Sequence, residues 1–108
     1  MSEDYTLEWP ADGGARLGGR LTFRTCAALL AALERHGAGT SVDGPVDLAG
    51  VEQIDSAGLA LLLEWQARQK AAGGRLALVN APASLLRLAQ LADAVDLLNL
   101  SGREDAAA

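Results

Sequence analysis

A single cysteine, a single histidine and a single lysine among 108 residues leave this chain poor in the side chains from which most reactive sites are assembled. Cys26 alone cannot close an internal disulfide or form a cysteine-only metal cage, and no histidine stands near it in the sequence. A reducing, cytoplasmic setting fits. His36 has no acid-base constellation around it and would have to reach any serine from the far end of a helix, so catalysis is not expected. Basic residues are scarce too: nine against fourteen acids give a net charge of −5. Without a basic stripe, nucleic acid is excluded as a partner.

Long apolar runs are also missing. The longest, Ala57 to Leu63, counts seven residues including Gly58, against the roughly 20 that a membrane-spanning helix needs. Direct membrane insertion is therefore not expected. The opening MSEDYTLEWPADGG is acidic and polar rather than cationic and then apolar, so no export is expected either. Gly13 to Gly18 has a Gly-x4-Gly spacing, but Gly19-Arg20 stands where a phosphate loop requires Lys and then Ser or Thr. That stretch reads as a hairpin, and no cofactor is predicted.

What the chain does have is a half-apolar composition, enough for a packed core, in a length that suits one domain. Residues 1–100 are read as that domain and 101–108 as a frayed tail. Tyr5 to Trp9 alternates polar and apolar side chains and ends at Pro10, which predicts a first strand. Asp12, Gly13 and Gly14 make a turn, and Ala15 to Leu21 returns as the second strand, its Gly18-Gly19 pair permitting a bulge or a close approach. Thr25 is positioned to cap a first helix carrying Cys26, Leu29, Leu30 and Leu33 on one stripe, and Gly37 ends it. His36 then lies at a solvated helix end.

The most informative stretch is Val46 to Leu63, VDLAGVEQIDSAGLALLL. It predicts a strand, a turn and a second helix running to about Ala72, closed by Gly73-Gly74. The helix is apolar on every side in its first half, whereas Glu64, Gln66, Arg68, Gln69 and Lys70 supply a wet face later. A helix apolar all round is buried all round or covered by a partner. Some of the Leu59 to Leu63 surface is therefore a candidate for binding, while Trp65 is read as core. Arg75 to Val79 predicts a central strand, Pro82 the first turn of a third helix with Leu85, Leu88, Ala89 and Ala92 on one face, and Asp96 to Leu100 a last strand. The sum is an α/β fold: about five strands in a mostly parallel sheet, in the order β-β-α-β-α-β-α-β, covered by helices.

Ser56 is the candidate functional residue. A serine at a helix start is ordinarily a cap, worth roughly 1 kcal/mol. Here Asp55 can take that role, leaving the Ser56 hydroxyl turned outward, and Gly58 removes bulk where a partner backbone could approach. The residues Val46-Asp47-Leu48, Ile54-Asp55-Ser56-Ala57-Gly58-Leu59 and Gly73-Gly74-Arg75-Leu76, together with Leu17 to Leu21, resemble a STAS domain over essentially the whole chain. Within that family the run AGLALLL and the small size are most similar to the MlaB subfamily.

The resemblance implies a non-catalytic adaptor, cytoplasmic and peripheral to the inner membrane through its partner. That partner would be the ATPase subunit of an ABC transporter that moves phospholipid and maintains outer-membrane lipid asymmetry. The docking face would comprise Asp55, Ser56, Ala57, Gly58 and Leu59, with Leu62 further along the helix. The alternative it implies is an anti-sigma-factor antagonist, with Ser56 phosphorylated by an anti-sigma factor kinase.

Overall fold

The computed structural model describes residues 5–36, 42 and 44–98. Strands β1 (Tyr5–Glu8) and β2 (Ala15–Leu21) pair antiparallel, β3 (Val46–Ile54) lies parallel to β2, and β4 (Leu78–Val79) lies parallel to β3. The described sheet thus has four strands in the order β1-β2-β3-β4. Helices α1 (Cys26–His36), α2 (Ser56–Ala71), α3 (Ala83–Leu91) and α4 (Val95–Leu98) complete the described chain. This is the mixed, mostly parallel α/β arrangement expected, with one strand fewer.

The hairpin forms as its residues predict. Gly13 N–H donates to the Pro10 carbonyl at 3.1 Å, and Leu7 pairs with Leu17. Gly18 sits where the strands crowd: a Cβ there would lie 2.9 Å from the Thr6 hydroxyl and 3.0 Å from the Gly50 carbonyl. Register shifts flank it, between Arg16 and Gly18 and between Gly19 and Arg20, so β3 holds one more residue than β2 at each. That explains why VDLAGVEQI does not alternate: its buried positions are Val46, Leu48, Val51 and Ile54. The opposite positions Asp47, Ala49, Glu52 and Gln53 are exposed or half-exposed, leaving that sheet face wet.

Helix α2 is the centre of the packing and touches α1, α3, α4, β2 and β3. In its apolar half Leu59, Leu61 and Leu62 are buried, Leu63 is half-buried and Ala60 is exposed. The domain's own elements therefore cover almost all the surface that sequence reasoning offered to a partner. Trp65 is core, as expected, and makes a T-shaped contact with Trp9, the ring centroids 6.3 Å apart and the planes at 78°. His36 is the exposed last residue of α1, as expected, and one face of its ring stacks on Trp9 at 3.5 Å and 5°.

The wet face expected of the second half of α2 is broken by two buried amides, Gln66 and Gln69. Gln66 accepts from the Leu76 N–H at 2.6 Å and donates to the carbonyls of Leu76 and Leu98 at 3.1 and 3.0 Å. Gln69 accepts from the Val42 N–H at 2.8 Å. Glutamine looks solvent-facing in a pattern, yet once its amide meets backbone groups its burial costs little.

These contacts also account for three shifted elements. The strand expected over Arg75 to Val79 shrinks to Leu78–Val79, because the backbone of Leu76 is bound by a glutamine side chain. Among the described residues it pairs with β3 alone, at one end of the sheet rather than its centre. The strand expected from Asp96 starts instead as α4, since Val95 and Leu98 at a spacing of three satisfy a helix as well as a strand. Residues 99 and 100 of that expectation, Gly37, and the 101–108 tail lie outside the described residues.

The helix ends are chemically simple. α2 closes with Gly74 N–H donating to the Gln69 carbonyl and Gly73 N–H to the Lys70 carbonyl, as the Gly-Gly pair predicts. α3 closes the same way through Asp93 and Ala94, with Asp93 at φ 57°. Pro82 precedes α3 at its cap position rather than inside its first turn. Thr25 does not cap α1: its hydroxyl accepts from Thr22 N–H and donates to the Arg20 carbonyl at 2.7 Å, bracing the β2–α1 turn instead.

Gly58 is buried against the ends of β2 and β3. A Cβ there would fall 2.2 Å from the Leu21 carbonyl oxygen and 2.7 Å from Ile54 Cγ1. Gly58→Ala is accordingly expected to destabilise the domain by about 1–3 kcal/mol through overpacking, even though alanine favours helix by about 1 kcal/mol. Urea denaturation checks this, and a stabilised variant would show that α2 is not seated so closely.

Candidate functional site

The site is built where the ends of β2 and β3 meet the starts of α1 and α2. Asp55 is the residue that joins them. Its backbone is extended, at φ −121° and ψ −170°, so it stands outside the helix as a cap does. One carboxylate oxygen accepts from the N–H groups of Ala57 and Gly58, at 3.0 and 3.1 Å. The other accepts from the N–H of Phe23 at 3.0 Å, across the gap to the β2–α1 turn. Its own N–H donates to the Leu21 carbonyl.

This geometry leaves the Ser56 side chain out of the cap. Since Asp55 caps α2, the serine hydroxyl is not required for that purpose. Ser56 is exposed, and among the described residues no hydrogen bond involves its hydroxyl. Of the other residues expected at a contact face, Asp55 and Ala57 are half-buried and lie beside it, whereas Gly58, Leu59 and Leu62 are buried beneath it. Leu62 in particular is 0% exposed, so these three support the face from within and offer it no surface.

Sequence reasoning missed Phe23, which is 82% exposed. Its backbone is tied to the site through Asp55, and with Arg20, Thr22, Arg24, Gln53 and Asp55 it lines an open hollow of about 230 Å³. The signal was present as an isolated aromatic in the polar turn Thr22-Phe23-Arg24-Thr25, outside any apolar periodicity. A lone surface aromatic carries little weight until the fold shows what lies beside it.

The electrostatics follow from the hydrogen bonds. Burial works against the charged form of Asp55, but the N–H groups of Phe23, Gly58 and Ala57 outweigh it and hold the carboxyl below its ordinary range. Cys26, in the first turn of α1, is pushed the other way by burial and then by the Asp55 charge, and so stays a poorly nucleophilic thiol. Among the described residues no group of three or more His, Cys, Asp or Glu side chains could hold a metal, and none brings His36 to Ser56. No helix of the described chain is long and apolar enough to cross a membrane.

A capping carboxylate with a lowered pKa contributes fully above its unfolded value, about 3.9, and loses that contribution as pH falls through the lower folded one. Asp55→Ala is expected to lose about 1–2 kcal/mol at neutral pH. The gap from the parent should narrow below about pH 4 as the parent's carboxylate is protonated. Chemical denaturation of both proteins across pH tests this; a gap independent of pH would remove the charge from the account.

Comparison with known proteins adds three observations. No curated protein matches the chain. Among solved structures the fold is similar to the anti-sigma factor antagonist SpoIIAA in its unphosphorylated form, at 17% identity and TM-score 0.67, over 94% of this chain and 91% of that one. Bacillus SpoIIAA in its phosphorylated form gives 17% identity and TM-score 0.55 over 94% and 95%. The murine anion transporter Slc26a9 gives 19% and 0.56 over 73% of this chain and 14% of the transporter. These likenesses concern the fold. The family model described as "Mlab, STAS domain" matches residues 10–104, and the chain belongs to that STAS domain family.

Proposed function

We propose that this domain is a non-catalytic interaction module that docks, through the surface around Ser56, on the ATPase subunit of a phospholipid-transporting ABC complex, which it stabilises and activates. The reading places it in the cytoplasm, peripheral to the inner membrane through its partner, in a system that maintains outer-membrane lipid asymmetry. One observation carries it: a hydroxyl at a helix start is left exposed because the neighbouring carboxylate does the capping. The match to the MlaB-type family model over 10–104 supports the identity of the partner. The stacking of the sole histidine on Trp9 at the end of α1, with Ser56 at the start of α2, supports the non-catalytic character.

Replacing Ser56 by glutamate puts a charge into that surface without touching the core, since the residue is exposed and Asp55 keeps the cap. Ser56→Glu is expected to abolish co-purification with the ATPase while leaving the thermal midpoint nearly unchanged. Intact co-purification would refute the face.

The same exposed hydroxyl favours a second reading, an anti-sigma-factor antagonist switched at Ser56, and the fold's likeness to SpoIIAA supports it. A phosphate there would gain from the positive end of α2 and be repelled by Asp55. Incubation with a cognate serine kinase and ATP is then expected to add one phosphate, on Ser56. Mass spectrometry finding none would count against the switch.

A further inference from the structure

We propose that the hollow beside Ser56 receives an acidic segment of the partner protein, with Phe23 as its apolar anchor and the guanidinium groups of Arg20 and Arg24 as its charge partners. The inference rests on the reading that this face docks, and it names the chemistry of what docks there.

Three observations lead to it. The first is that Phe23 is exposed without being loose. Its N–H is held by Asp55 at 3.0 Å and the N–H of the preceding Thr22 by the Thr25 hydroxyl at 3.0 Å. An aromatic ring held out on a fixed backbone loses little freedom when it is covered, so its burial goes largely into binding.

The second is charge. The chain carries a net −5, yet this hollow is locally basic. Arg20 and Arg24 line it and are exposed, and among the described residues neither takes part in an ion pair, whereas Arg16 and Arg68 do. Among the described residues the only carboxylate in the lining, Asp55, already accepts three backbone N–H groups. A carboxylate brought by another molecule therefore finds two guanidiniums that are unpaired among the described residues, each able to bind it bidentately.

The third is size and context. At about 230 Å³ and open to solvent, the hollow is smaller than the roughly 300 Å³ at which small-molecule sites begin. It suits one or two side chains of a protein segment. An extended anionic surface such as nucleic acid or an acidic membrane would face the whole chain's negative charge as well, and is disfavoured. Arginine and aromatic anchors surrounded by a polar rim are the make-up of a protein-binding hot spot. The position also explains why a negative group on Ser56 would oppose docking: it would stand where the partner brings its own acids.

The test is a titration of the ¹⁵N-labelled domain with the blocked peptide Glu-Glu-Leu-Glu-Asp-Leu-Glu, followed by amide shifts at low salt. Saturable shifts are expected at Phe23, Arg24, Gln53 and Ser56. Affinity should fall about tenfold or more in Phe23→Ala and in the pair Arg20→Glu with Arg24→Glu, and with added salt. A peptide in which lysine replaces every acid should not bind. Equal binding of the lysine peptide, shifts centred elsewhere, no shifts at millimolar peptide, or preferential binding to vesicles of anionic phospholipid would overturn the proposal.

Its failure is separable from that of the docking reading. If Ser56→Glu abolishes ATPase capture but the acidic peptide does not bind, the face stands and this inference falls. If the peptide binds at these residues but Ser56→Glu still captures the ATPase, the partner assignment falls and the hollow's chemistry stands.

Discussion

The carboxylate of Asp55 is the constraint on which this structure turns. It satisfies two orphan N–H groups at the mouth of α2 and, with its other oxygen, a third on the β2–α1 turn. A single side chain thereby fixes the start of one helix relative to the approach to another. Gly58 completes the joint by letting α2 settle on the Leu21 carbonyl, which a larger residue would prevent. The outward-facing serine and the displayed phenylalanine are both consequences of this joint.

Beneath the joint the domain uses α2 as its axle. Leu59, Leu61 and Leu62 in its first half are covered by the sheet and the other helices, so their hydrophobic burial contributes to stability and is not available for binding. The surface exposed around Ser56 is small and mixed in character: a hydroxyl, an aromatic ring and two guanidiniums around a carboxylate that is already engaged. Such a patch suits recognition by charge and shape better than broad apolar association.

Much of this was legible in the sequence because local chemistry and global fold agree there. The hairpin from Tyr5 to Leu21, the amphipathic stripe of α1, the Asp55-Ser56 order at the head of α2 and the Gly73-Gly74 closure all form as their residues dictate. What was not legible depends on neighbours distant in the chain. Gln66 reads as wet until the backbones of Leu76 and Leu98 arrive to bind it. Thr25 reads as a cap until the Arg20 carbonyl arrives to accept its hydrogen bond. Leu59 and Leu62 read as spare apolar surface because a pattern does not reveal how many elements pack round one helix. Phe23 is the converse: its exposure is visible only once the turn that holds it is built.

The buried amide of Gln66 has a mechanical meaning for the opposite end of its helix. By gripping the main chain of two separate segments it acts as a key in a slot, so α2 can neither spin about its axis nor slide along it without unseating three hydrogen bonds. Ser56 lies ten residues away, about 15 Å along the same rod at 1.5 Å per residue. The compass bearing at which the hydroxyl is shown to the outside is thus set deep inside the domain, out of reach of whatever arrives at the surface.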